Sequence, residues 1–179
     1  GAVEPQRVHL LDLDRDRREV LIDSRQTEYA DVELGDVRDW AFNNAAGDEI
    51  EGRYYLPPGF DPEQRYPMIV YYYGGTVPVQ RAFTGRYPFN LWAAKGYVVY
   101  VLQPRGTVGY GQALSALHVN AWGRYTADDI IEGTDRFVAA HDFIDGDRVG
   151  NIGASYGGFM TMYLATVTDR FAASISHAG

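Results

Sequence analysis

Ser155 stands between glycines in the run NIGASYGGFM, residues 151–160, with an apolar stretch before it and helix-compatible residues after it. A Gly-x-Ser-x-Gly turn between a strand and a helix suits nucleophilic chemistry. The strained turn pushes the hydroxyl outward, and the flanking glycines remove side chains that would clash there. The residues here are Gly153-Ala154-Ser155-Tyr156-Gly157, extended by Gly158. In a chain with 20 glycines the pattern alone is weak. It is the strand before it and the helix after it that favour a nucleophile over a small residue in a tight turn.

A serine that attacks a carbonyl needs donors aimed at the developing oxyanion. The backbone N–H of Tyr156, first in the helix, is one by construction of the turn. A second is expected from the loop after the run MIVYYY, where Tyr73 stands before Gly74-Gly75. Its hydroxyl can donate, and the two glycines allow a substrate close. Tyr71 and Tyr72 read as a buried aromatic strand, and position alone leaves Tyr73 open between the two roles.

The serine also needs a base and an acid, and in hydrolases with this turn they follow it along the chain. After Ser155 come one acid, Asp169, and one histidine, His177. Asp169 follows a helix of about twelve residues, which at about 1.5 Å per residue carries it roughly 18 Å from the nucleophile. It reads as a helix-end turn residue. His177 is placed near the carboxyl end of the next strand, on the side of Ser155, but no acid stands ready to orient it, so it reads as a polar strand-end residue. His9 and His118 read as surface or loop residues and His141 as a helix-end residue. None has ligand spacing for a metal.

The elements that must position these residues change character along the chain. RVHLLDL and REVLID, joined by DRDR, read as a hairpin without a partner sheet, and residues 24–36 read as a connection. From Val37 the pattern is regular. VRDWAFNN and EIEGRYYLPP bracket the turn AAGD as an antiparallel pair, and MIVYYY is a strand buried on both faces. NLWAAKG is a short helix and YVVYVLQP the next buried strand. A long helix follows, with Thr126 as its expected N-cap and Asp129 three residues on. DRVGNIGA is a strand, YGGFMTMYLATVT a helix and FAASISHAG a last strand. Strands alternating with helices give an α/β class with a mostly parallel sheet covered on both faces.

The 179 residues are 46% hydrophobic and 22% charged, enough to bury a core. No run approaches a membrane span, so no membrane partner is expected. The net charge of -8 argues against binding a phosphate backbone, so no nucleic acid is expected. There is no Cys, which removes disulfides, thiolate catalysis and Cys-based zinc sites. No cofactor is expected. RGTVGYG offers glycines after a strand but lacks the Lys and the order of a nucleotide fingerprint. It reads as a loop shaping the cleft, with Arg105 as a structural salt-bridge donor.

YYYGG, QPRGTVGYGQ, NAWGRYTADDIIEGTDRFVA, DGDRVGNIGASYGGFMT and DRFAASIS occur in the order and spacing of the catalytic domain of the prolyl oligopeptidase family of serine peptidases. The sequence most resembles its dipeptidyl peptidase and acylaminoacyl-peptidase branches, over about residues 37–179. The resemblance implies an α/β-hydrolase fold preceded by a β-propeller, with residues 1–36 as the propeller end and linker and residues 37–179 as the N-terminal part of the catalytic domain. It implies Ser155 as nucleophile, the Tyr156 N–H and the Tyr73 hydroxyl as the oxyanion hole, and the Tyr156 side chain as a wall of the pocket for the residue preceding the cleaved bond. It implies a peptide substrate. The family usually has Asn or Asp near the position of Gln103, a departure confined to loop detail. The triad Asp and His of the family are expected beyond this sequence, so that the site, and the last strands of the sheet, need a further C-terminal segment or a second chain, and the 179 residues alone are expected to be inactive.

Two other readings use the same residues. One is an esterase of the same fold, which a hole built from backbone donors alone would favour. The other is a non-catalytic binding module, against which stands Ser155 itself, since nothing structural demands a serine there.

Overall fold

The computed structural model describes residues 1–73 and 77–179. The expected Gly74-Gly75 of the hole lie outside them. Two sheets are present, a hairpin of two strands and a sheet of six in the order β3-β4-β6-β5-β7-β8. The hairpin is β1 (Arg7–Asp12) and β2 (Arg17–Asp23), and the large sheet opens with the antiparallel pair β3 (Val37–Asn43) and β4 (Glu49–Tyr55). β5 (Tyr66–Tyr71), β6 (Val98–Leu102), β7 (Ile144–Ala154) and β8 (Ala173–His177) then run parallel to one another.

The alternation of side chains along each strand divides the core between the two faces. Met68, Val70 and Tyr72 of the β5 segment and Val98, Tyr100 and Leu102 of β6 face one way. There they meet Ile130 and Phe137 of α3 (Arg124–Ala140) and Met160 and Leu164 of α4 (Tyr156–Val167). Tyr71, Val99 and Val101 face the other way, against Phe89 and Ala93 of α1 (Phe89–Ala94). Helices on both faces of a mostly parallel sheet, with the serine turn between β7 and α4, form the expected α/β-hydrolase architecture.

Two local expectations are corrected. β5 ends at Tyr71, so Tyr73 is already in the loop beyond the strand. The long helix starts at Arg124 with Gly123, at φ 89°, as its cap, and Thr126 lies inside it. Thr126 and Asp129 looked like a capping pair because their spacing is right, but both are buried and spent elsewhere. The Thr126 hydroxyl donates to the Arg105 carbonyl at 3.0 Å, and the Asp129 carboxylate takes the Arg105 guanidinium at 2.8 Å. The structure adds α2 (Gln112–Ala116), a short helix that the sequence reading did not assign.

The Arg105–Asp129 pair is the main polar tie inside the fold, as the salt-bridge expectation for Arg105 required. Asp129 also accepts from the Arg105 backbone N–H at 2.7 Å and from Asn44 Nδ2 at 2.9 Å. One carboxylate thus joins the β3–β4 turn, the loop after β6 and α3. Burial pushes the Asp129 carboxyl up, and the Arg105 and Asn44 donors pull it back.

The residues flanking the hairpin touch the rest of the chain: Gln6 Nε2 donates to Thr84 Oγ1 at 2.7 Å, and Tyr29 of the connection meets Phe83 edge-on at 4.9 Å. Val8, Leu10, Leu11, Val20, Leu21 and Ile22 stay exposed.

Candidate active site

Ser155 closes β7 and begins α4 with φ 55° and ψ -117°, backbone angles that few residues other than glycine adopt. The turn is held from two sides. The Ser155 N–H donates to the His177 carbonyl at 2.9 Å, and the Ser155 carbonyl accepts from Phe159 N–H at 3.0 Å, the first helical bond of α4. A Cβ on Gly153 would lie 2.2 Å from the Gly157 carbonyl oxygen, and one on Gly157 would lie 2.7 Å from that of Tyr72. The glycines are therefore dictated by how tightly the turn folds onto itself and onto the end of β5. The serine side chain, left exposed, opens on a cleft of about 580 Å³.

That cleft is lined by Ser155, Ala154, Tyr71 and Tyr73 on the sheet side and by residues of the loop 77–87 opposite, with Tyr87 and Phe89 closing it. The structure thus brings Ser155 and Tyr73 to one cavity. The backbone N–H of Tyr156 belongs to the first turn of α4, where N–H groups have no helical partner and are free for an anion.

The Tyr156 side chain goes elsewhere. Its hydroxyl accepts from Gly123 N–H at 3.2 Å, and its ring packs on His118 at 4.9 Å, Trp122 at 5.4 Å and Phe159 at 5.5 Å. It therefore ties the start of α4 to the start of α3 and lines an aromatic patch beside the turn rather than the cleft that holds Tyr73. His118 is half-buried in that patch with its Nδ1 unpartnered among the described residues, more enclosed than a surface histidine.

The other three histidines are occupied away from the serine hydroxyl. The His177 ring Nδ1 meets the Tyr87 hydroxyl, His141 Nδ1 meets the Phe137 carbonyl at 2.8 Å, and His9 takes the Arg18 guanidinium at 2.9 Å. Asp169 lies past the end of α4, exposed. Among the described residues no histidine and acid meet at Ser155, and no group of three His, Asp or Glu side chains could hold a metal. No helix there is long and apolar enough to cross a membrane.

Two buried polar residues not singled out for the site shape its wall. Gln103 takes the Val79 N–H on Oε1 at 3.0 Å and returns Nε2 to the Val79 carbonyl at 2.9 Å. Arg53, buried in β4, donates to the carbonyls of Val79 at 3.1 Å and Gln80 at 2.6 Å. Gln103, the departure from the family pattern, is thus the clamp on the loop facing Ser155. A side chain shorter by one methylene would not span both groups of Val79. The signal was available in part, as polar residues inside apolar strand runs, but their partners lie 24 and 26 or more positions away and no local spacing reveals them.

Comparison with known proteins agrees with the geometry. Residues 83–179, more than half the chain, match the prolyl oligopeptidase family. The chain is similar to dipeptidyl-peptidase 5 of Porphyromonas gingivalis, 38% identical over 69% of this chain and 18% of that protein. It is also similar to human dipeptidyl peptidase 8, 33% identical over 78% of this chain and 16% of that protein. Among solved structures, an acylaminoacyl peptidase in complex with Z-Gly-Gly-Phe-chloromethyl ketone superposes with a TM-score of 0.84 at 28% identity, over 98% of this chain and 28% of that one. The Pyrococcus horikoshii acylaminoacyl peptidase gives the same TM-score of 0.84 at 27% identity, with the same coverage. The chain spans less than a fifth of the length of those curated relatives. A strained serine turn at the end of a parallel strand, a tyrosine sharing its cleft and a family match that includes the turn all lead to one statement: the chain belongs to the prolyl oligopeptidase family.

Proposed function

We propose that this chain is the nucleophile-bearing part of a serine peptidase that cleaves short peptides through an acyl-enzyme on Ser155. The observation that carries the proposal is the geometry of Ser155 itself, a non-glycine residue at φ 55° opening on a cleft shared with Tyr73. In this reading the Ser155 hydroxyl attacks the peptide carbonyl, and the Tyr156 N–H and the Tyr73 hydroxyl hold the oxygen as it becomes negative. The amine leaves with a proton, and water then releases the acyl group and returns the serine. The Tyr156 ring, in the patch with His118 and Trp122, serves as a wall for the residue before the cleaved bond.

The base and the acid that orients it come from polypeptide outside the described residues, supplied by further sequence of the gene product or by a second chain. This reading is supported by the engagement of His177, His141 and His9 elsewhere and by the place of the His118 ring in the aromatic patch with Trp122 and Tyr156. In this reading residues 1–36 are the end of a preceding propeller and a linker, and residues 37–179 the N-terminal part of the catalytic domain, which accounts for the exposed apolar side chains of β1 and β2.

Turnover of matched amide and ester substrates by the gene product, with Ser155→Ala and Tyr73→Phe variants, tests the proposal. A peptidase cleaves the dipeptidyl or acyl-peptide amide, loses turnover with Ser155→Ala, and loses about a hundredfold in kcat with Tyr73→Phe. Ester cleavage alone would make it an esterase. Substrate binding without turnover in the unaltered protein would make it a binding module.

A further inference from the structure

Directly behind the serine turn, three hydroxyl and amide groups form a buried chain that the chemistry above does not use. Asn151 Nδ2 of β7 donates to the Tyr72 hydroxyl at 2.9 Å, and that hydroxyl lies 2.9 Å from Thr161 Oγ1 of α4. Thr161 Oγ1 in turn lies 2.9 Å from the Gly157 carbonyl oxygen. The directions are fixed by proton count. A carbonyl only accepts, so Thr161 gives its single proton to Gly157 and can only accept from Tyr72; Tyr72 then donates to Thr161 and accepts from Asn151.

Tyr72 is fully buried, and Asn151 and Thr161 are 3% and 2% exposed. Burial also pushes the Tyr72 phenol up, so it stays protonated and keeps donating. A phenylalanine there would fill the ring's apolar surroundings but leave the buried Asn151 Nδ2 without its acceptor and Thr161 Oγ1 without its donor.

The location gives it a use. Tyr72 and Tyr73 are adjacent residues just past the end of β5, and the Tyr72 ring enters the core under α4 while Tyr73 lines the cleft. The other end of the chain is Gly157, next to Tyr156. We infer that the Tyr72 hydroxyl, with Thr161 and Asn151, is a positioning device that sets the separation of the two oxyanion donors, the Tyr73 hydroxyl and the Tyr156 N–H. Close packing alone fixes only one direction: the Gly157 contact with Tyr72 holds the end of β5 and α4 together but allows sliding along the contact. Hydrogen bonds across it resist that sliding. Catalytic groups must be held to about 0.5 Å, and displacement of one donor is felt in the transition state rather than in substrate binding.

This inference rests on Ser155 being the nucleophile, and the experiment separates the two. In the gene product, Tyr72→Phe lowers kcat by about tenfold with KM unchanged, as expected for loss of an interaction realised only in the transition state. In a Tyr73→Phe background the same change costs almost nothing further, because Tyr72 acts through Tyr73. Thr161→Val reproduces the defect and Thr161→Ser, which keeps the hydroxyl, restores kcat; this pair carries the test should Tyr72→Phe fail to fold. Unchanged kcat in Tyr72→Phe, or in Thr161→Val if that pair must stand alone, overturns the inference if Ser155→Ala is inactive. So does a defect that adds fully to Tyr73→Phe or that raises KM in parallel. A Ser155→Ala variant that retains turnover overturns the functional reading instead.

Discussion

Ser155 holds a backbone conformation that costs a non-glycine residue on the order of 1–3 kcal/mol, and the fold over-determines it through the His177 carbonyl, the Phe159 N–H and the packing of Gly153 on Gly157. Replacing it by glycine relieves that strain while removing the hydroxyl. Ser155→Gly is therefore expected to be more stable by about 1 kcal/mol in urea unfolding, with glycine's greater unfolded-state freedom offsetting part of the gain. Equal or lower stability would show that the turn is unstrained. At this scale the sequence was informative where chemistry and backbone demand coincide. Gly153, Ser155 and Gly157 are legible because one turn needs all three, and Tyr73 because it stands at the edge of an apolar run. Asn151, Thr161, Arg53 and Gln103 were not, because each bonds to a group distant in the chain or serves a local carbonyl that any residue offers.

The elements that hold the site are tied by buried polar contacts of different kinds. Asp129 is fully buried, and the Arg105 side chain is 9% exposed. Removing one partner leaves an uncompensated charge, so Asp129→Ala is expected to cost about 3–5 kcal/mol in chemical denaturation, and the double change Arg105→Met with Asp129→Leu to recover much of that. Equal losses in the single and double variants would show that the pair is not the source. The Gln103 clamp is weaker and local. Gln103→Asn cannot reach both the N–H and the carbonyl of Val79, and its amide hydrogen exchange should accelerate by about tenfold or more while the core strands stay protected. Unchanged exchange at Val79 would assign the loop to Arg53 alone. The same elements show why the start of α3 was misread. Thr126 and Asp129 carry the spacing of a capping pair, but Arg105 takes both, through its carbonyl and its guanidinium, from the loop after β6, more than 20 positions away in sequence.

Across the whole molecule, the mostly parallel sheet and the two helical layers were legible from continuous apolar runs alternating with helical periods, since that pattern admits few architectures. What the periods did not show is which faces stay open. Beyond α1, the face formed by β5, β7 and β8 is a groove of about 560 Å³ with Ile69, Ile152, Ile175, Trp92 and Tyr97 on it, and Ile175 is 59% exposed. The 179-residue chain should accordingly bind a hydrophobic dye, and Ile175→Lys should reduce that signal, while undiminished binding would move the sticky surface to the hairpin. The nucleophilic role of Ser155 is tested by reaction of the gene product with a fluorophosphonate probe, located by peptide mass and repeated on Ser155→Ala. A nucleophilic Ser155 gives one adduct per chain, on Ser155, that disappears in the variant. An adduct on another residue, or an unchanged yield from Ser155→Ala, would contradict it.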